Sequence, residues 1–122
     1  MNNIQKEDRP DRLSVQPVVV GGVLVVTVHG EIDYAVKDLL SQALLSEDGT
    51  VPPPRIVADL SGVTFMDSSG INVFINAHHR VSKAQGWLRI ADAQESVARL
   101  LHLVGIDQII DCHPTVGQAL NT

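Results

Sequence analysis

The chain has 122 residues, 44% hydrophobic, 19% charged and 3% aromatic, and a domain of this size buries roughly two-thirds of its unfolded surface without help from disulfides or metal. Nine Lys and Arg against fourteen Asp and Glu leave a net charge of −5, which removes the electrostatic basis of nucleic-acid and anionic-membrane binding. The single cysteine, Cys112, excludes an intramolecular disulfide and a metal site built on cysteine clusters.

Residues 1 to 12 (MNNIQKEDRPDR) are polar, carry charges of both signs and lack the apolar stretch of a signal peptide. They predict a flexible tail ahead of one domain over 13–122, with no export and a reducing, cytoplasmic setting. From Val15 to Val28 the chain is rich in Val and broken by Gly21-Gly22, which predicts a β-hairpin with strands near 14–20 and 23–29. The run is too short for the ~20 residues of a membrane-spanning helix. After Gly30-Glu31-Ile32-Asp33, apolar residues at Ala35, Val36, Leu39, Leu40, Ala43 and Leu44 recur at helical spacing, and Asp33 is placed to cap that helix.

The segment from Ser46 to Pro54 ends the helix, and its three prolines make a stiff extended spacer. Arg55 to Leu60 reads as a short buried strand. Asp67-Ser68-Ser69-Gly70 opens a second amphipathic helix to about Gln85, with Gly86 as its stop. Trp87 to Ala91 reads as a strand, Ala93 to Val104 as a helix ended by Gly105, Gln108 to Cys112 as the last strand, and Pro114 to Leu120 as a short helix with proline in its first turn. The order ββαβαβαβα predicts an α/β fold. It has a single mixed sheet opened by the hairpin, its parallel part made by right-handed crossovers, and amphipathic helices on one face or edge.

The stretch from Val63 to Ile71 (VTFMDSSGI) places Ser, Asp and Gly where a strand gives way to a helix. A helix N-terminus offers unpaired N–H groups and the positive end of the dipole. In one reading a serine or aspartate caps the helix. In the other a serine hydroxyl is displayed for phosphorylation, and the helix N–H groups favour the added anion, which brings roughly −1.5 to −2 charge. A serine nucleophile is disfavoured: Phe65 and Met66 stand where the G-x-S-x-G elbow needs a glycine, and His78 and His79 lie roughly 14 Å along the helix from Ser69.

Gly30-Glu31-Ile32-Asp33, a helix, a strand ending in Asp59-Leu60-Ser61-Gly62-Val63, and then Phe65-Met66-Asp67-Ser68-Ser69-Gly70-Ile71 together resemble the STAS family of anti-sigma factor antagonists. Leu100-Leu101 to Val104-Gly105-Ile106 extends the similarity, which covers about residues 13 to 120. The resemblance implies a non-enzymatic partner switch with no cofactor. The unphosphorylated form would bind an anti-sigma factor that is also a GHKL-type serine kinase, displacing a sigma factor. The kinase would phosphorylate Ser68, the first serine of the motif, and a PP2C-type phosphatase would reverse it. Asp33 and Asp67 would lie near the phosphosite, and Ser69, Gly70 and Ile71 would begin the docking helix. Asn72 and Asn76 depart from the family's usual small residues, and Asn72 sits beside the docking edge. The Pro52-Pro53-Pro54 loop also departs from the pattern. A second reading keeps the same fold as a STAS subunit docked on a membrane transporter or a multiprotein stress complex.

The remaining candidates carry less. His78 and His79 point about 100° apart on a helix and lack a third ligand. His102 reads as a satisfied core or rim histidine, Cys112 as a small core residue, and Trp87 as packing against the preceding helix. Gly21-Gly22 lacks the lysine and serine of a phosphate loop.

Overall fold

A computed structural model describes residues 13–45 and 52–121. The expected tail over residues 1 to 12 and the first six residues of the expected spacer, 46 to 51, lie outside the described residues. Strands β1 (Leu13–Val20) and β2 (Val23–Ile32) form the expected hairpin. Gly21 and Gly22 both have positive φ, 56° and 84°, as a two-residue turn matched to strand twist requires. A 3-10 turn at Tyr34–Val36 leads into α1 (Lys37–Leu44), followed by β3 (Arg55–Met66), α2 (Ser68–Lys83), β4 (Trp87–Ala91) and α3 (Glu95–Leu103). A second 3-10 turn at Ile106–Gln108, then β5 (Asp111–His113) and α4 (Val116–Leu120), complete the order.

The five strands lie in sequence order, β1-β2-β3-β4-β5. The first pair is antiparallel and the rest are parallel. Successive right-handed crossovers that always step the same way along a sheet put their helices on one face, so α1, α2 and α3 share a side. There Leu24, Val26 and Val28 of β2, Ile56, Ala58 and Leu60 of β3, and Leu88 and Ile90 of β4 bury against the helices. Leu40 and Leu44 come from α1, Phe74, Ala77 and Val81 from α2, and Val97 and Leu101 from α3.

The opposite face corrects two expectations. It is not left uncovered: Val23, Val25, Val57 and Ala91 pack with Ala119 of α4, and Trp87, Val116 and Leu120 border them. Trp87 therefore packs on the far side of the sheet from the helix that precedes it. The guanidinium of Arg89 lies 3.6 Å from the centre of the Trp87 ring and donates a 2.7 Å hydrogen bond to the carbonyl of Ala119, holding α4 down.

Three boundaries also differ. Strand β3 runs on from Leu60 to Met66, pairing with the outer half of β2 through two register irregularities. The last strand is not Gln108 to Cys112 but Asp111–His113. Gly105 is left-handed, and the chain keeps turning after it, with Ile110 N donating to Ile106 O. Ile106 and Ile110 are thus buried by turn spacing rather than by strand alternation. Pro114 precedes the terminal helix instead of opening it, because Thr115 is the N-cap and accepts from Gln118 N. Among the described residues no helix is long and apolar enough to cross a membrane.

Candidate functional site

Strands β2 and β3 are parallel and end side by side, Ile32 opposite Met66. Each is followed by one aspartate in extended conformation that caps the next helical segment. Asp33 (φ −137°, ψ −171°) accepts from Ala35 N at 3.0 Å, and Asp67 (φ −111°, ψ −169°) accepts from Ser69 N at 2.8 Å. The two junctions are tied together where Asp67 N donates to Ile32 O at 3.1 Å. The motifs GEID and DSSG, distant in sequence, thereby become one edge.

Capping and display do not compete here. Asp67 makes the cap, so Ser68, the first residue of α2, stands exposed, and its hydroxyl has no hydrogen-bond partner among the described residues. Ser69 and Asp67 are half-buried, and Asn72 is exposed one turn on. Gly70 and Ile71 face inward and are buried. A Cβ on Gly70 would stand 2.6 Å from Met66 Cγ and 2.8 Å from Ile32 Cγ2, so the glycine lets α2 start directly against the two strand ends. Of the six candidate partner-binding residues, then, Asp33, Asp67, Ser69 and Asn72 reach the surface while Gly70 and Ile71 form the support beneath them.

Beside Ser68 an open groove of about 430 Å³ runs between the first two helical segments. One wall is Tyr34, Lys37, Asp38 and Ser41; the other is Ser69, Asn72 and Asn76, with Val73 below. Lys37 bonds Asp38 at 3.1 Å and lies 4.9 Å from the centre of the exposed Tyr34 ring. Tyr34, Lys37, Asp38 and Ser41 escaped the sequence reading, which followed the apolar rows of this helix and not its polar stripe. The signal was present: both walls have the i, i+3, i+4, i+7 spacing of one helix face.

The other candidates fall elsewhere. His102 is on the rim, its Nδ1 2.7 Å from Asp107 Oδ2. The His78 and His79 rings are 5.7 Å apart and tilted. Cys112 is not a core residue but lies at the surface. Its sulfur donates to Ile110 O, and local burial, with Asp107 and Asp111 nearby, pushes the thiol up to about 11. It is therefore protonated and weakly nucleophilic at neutral pH.

Known proteins share this architecture. The STAS domain family matches residues 14–119. The chain is 28% identical over 99 residues to the anti-sigma F factor antagonist of Paenibacillus polymyxa, covering 81% of this chain and 85% of that protein. It is 35% identical over 88 residues to the anti-sigma-B factor antagonist of Bacillus subtilis, covering 70% and 77%. The crystal structure of an anti-sigma factor antagonist from Mycobacterium paratuberculosis superimposes with a TM-score of 0.79 at 32% identity, covering 91% of this chain and 93% of that one. With two helix-capping aspartates, a displayed serine and a match along nearly the whole described chain, the protein belongs to the STAS domain family.

Proposed function

We propose that this protein is a cytoplasmic, non-enzymatic anti-sigma factor antagonist whose docking edge is switched off by phosphorylation of Ser68. In the unphosphorylated form it binds an anti-sigma factor that is also a GHKL-type serine kinase, and a sigma factor is released. The kinase then modifies Ser68, and a PP2C-type phosphatase restores the hydroxyl. The relatives named above are antagonists of anti-sigma factors, which supports the partner class. The observation that carries the reading is the exposed hydroxyl of Ser68, freed from capping by Asp67.

The chemistry of the switch follows from that placement. A phosphate on Ser68 meets the positive end of α2, so the fold tolerates it. The same phosphate adds roughly −1.5 to −2 charge beside the carboxylates of Asp33 and Asp67. A partner surface fitted to a neutral hydroxyl between two carboxylates then meets a concentrated negative patch, and docking weakens by repulsion and desolvation.

The test is intact-protein and peptide mass after incubation with ATP and the serine-kinase anti-sigma factors encoded in the same genome. One added phosphate on Ser68, absent from Ser68→Ala, is expected. A chain that gains no phosphate with any of them, or gains it elsewhere and not on Ser68, contradicts the proposal.

A further inference from the structure

The groove beside Ser68 is walled by one face of each of two neighbouring helical segments. Its floor contributes one apolar residue, Val73, itself 8% exposed. The walls present hydrogen-bonding groups. The amides of Asn72 and Asn76 stand one turn apart on α2, and the hydroxyl of Ser41 stands on α1. None of these three side chains bonds to another described residue, and both asparagines are exposed. Among the described residues of the cleft, Lys37 pairs with Asp38 at 3.1 Å. Tyr34, 72% exposed, adds an aromatic ring at one end of the same wall. A polar segment able to give and accept hydrogen bonds finds unpaired donors and acceptors on both sides.

We propose that this groove is the specificity element of the docking surface. In this proposal a polar segment of the anti-sigma factor lies along it, and Asn72, Asn76 and Ser41 read that segment by hydrogen bonding. The inference rests on the antagonist reading, because the groove opens at Ser69, the residue next to the phosphosite. Sites built from hydrogen-bonding groups discriminate strongly, since a wrong partner leaves buried polar groups unpaired. The groove thereby separates two tasks. Ser68 determines whether the partner binds, and the two asparagines with Ser41 determine which partner binds.

The experiment uses the full-length chain and the serine-kinase anti-sigma factor that phosphorylates it. Steady-state kinetics of Ser68 phosphorylation are measured for the wild type, for Ser41→Ala and for the Asn72→Ala/Asn76→Ala double variant, with thermal unfolding as a control. Loss of two hydrogen bonds made equally in the ground and transition states is expected to raise KM about tenfold in the double variant and leave kcat unchanged. Ser41→Ala is expected to raise KM about threefold. Unfolding temperatures stay at the wild-type value. A double variant with wild-type KM overturns the inference while leaving the antagonist reading intact. A wild-type chain that no such kinase phosphorylates overturns both. A double variant that changes the protein's own sedimentation and not its KM assigns the groove to a second copy of the chain and likewise overturns the inference.

Discussion

At Gly70 the first turn of α2 approaches both strand ends so closely that a methyl group has no room, with Met66 on one side and the branched Ile32 on the other. In a free helix alanine is better than glycine by ~1 kcal/mol. Here overpacking reverses the sign, and Gly70→Ala is expected to lower stability by about 1–3 kcal/mol in urea denaturation. An unchanged or raised midpoint contradicts the close approach. A capped helix at D-S-S-G was legible, because capping is local chemistry. Which residue caps was not, because Asp67 owes its extended backbone partly to a bond with Ile32 on a neighbouring strand. The inward packing of Gly70 is non-local for the same reason.

Among the elements, β1 carries the clearest exposed hazard. It is the edge of the sheet, and Val18, Val19 and Val20 are 55%, 42% and 45% exposed in a row. The two-residue turn pairs Val20 with Val23. In an antiparallel ladder inward and outward backbone groups alternate, so Pro17 falls at a position that faces away from β2. Having no N–H, it cannot donate to an incoming strand, which is how edge strands are guarded. Pro17→Val is expected to keep the hairpin and to promote concentration-dependent self-association, read by sedimentation velocity. A variant that sediments like the wild type at all concentrations contradicts this role. The hairpin was legible from Gly21-Gly22, but its edge position was not, because strand order is set by the whole sheet. Likewise Ile109-Ile110 resembles a strand from composition alone, and only the left-handed Gly105 and the turn after it reveal Ile106 and Ile110 as one buried face.

For the whole molecule, topology explains why the site is where it is. Sequential parallel strands gather α1, α2 and α3 on one face, and α4 closes the other. The ends of β2 and β3 then remain open between two capped helical segments, and the exposed Ser68 stands there. The fold class followed from alternation of strands and helices. The two-sided cover did not, because α4 is short and its placement depends on Arg89 and Trp87. The net charge of −5 matters less than where the next charge is added. A phosphate on Ser68 would take it to about −7, all of the change at the joined ends of β2 and β3. The proposed switch at Ser68 is tested by titrating the anti-sigma factor into the unphosphorylated protein, Ser68→Ala, and protein phosphorylated on Ser68, and reading each affinity by calorimetry. Wild-type affinity in Ser68→Ala and at least ~10-fold weaker binding by the phosphorylated form are predicted; equal affinities in all three contradict the switch.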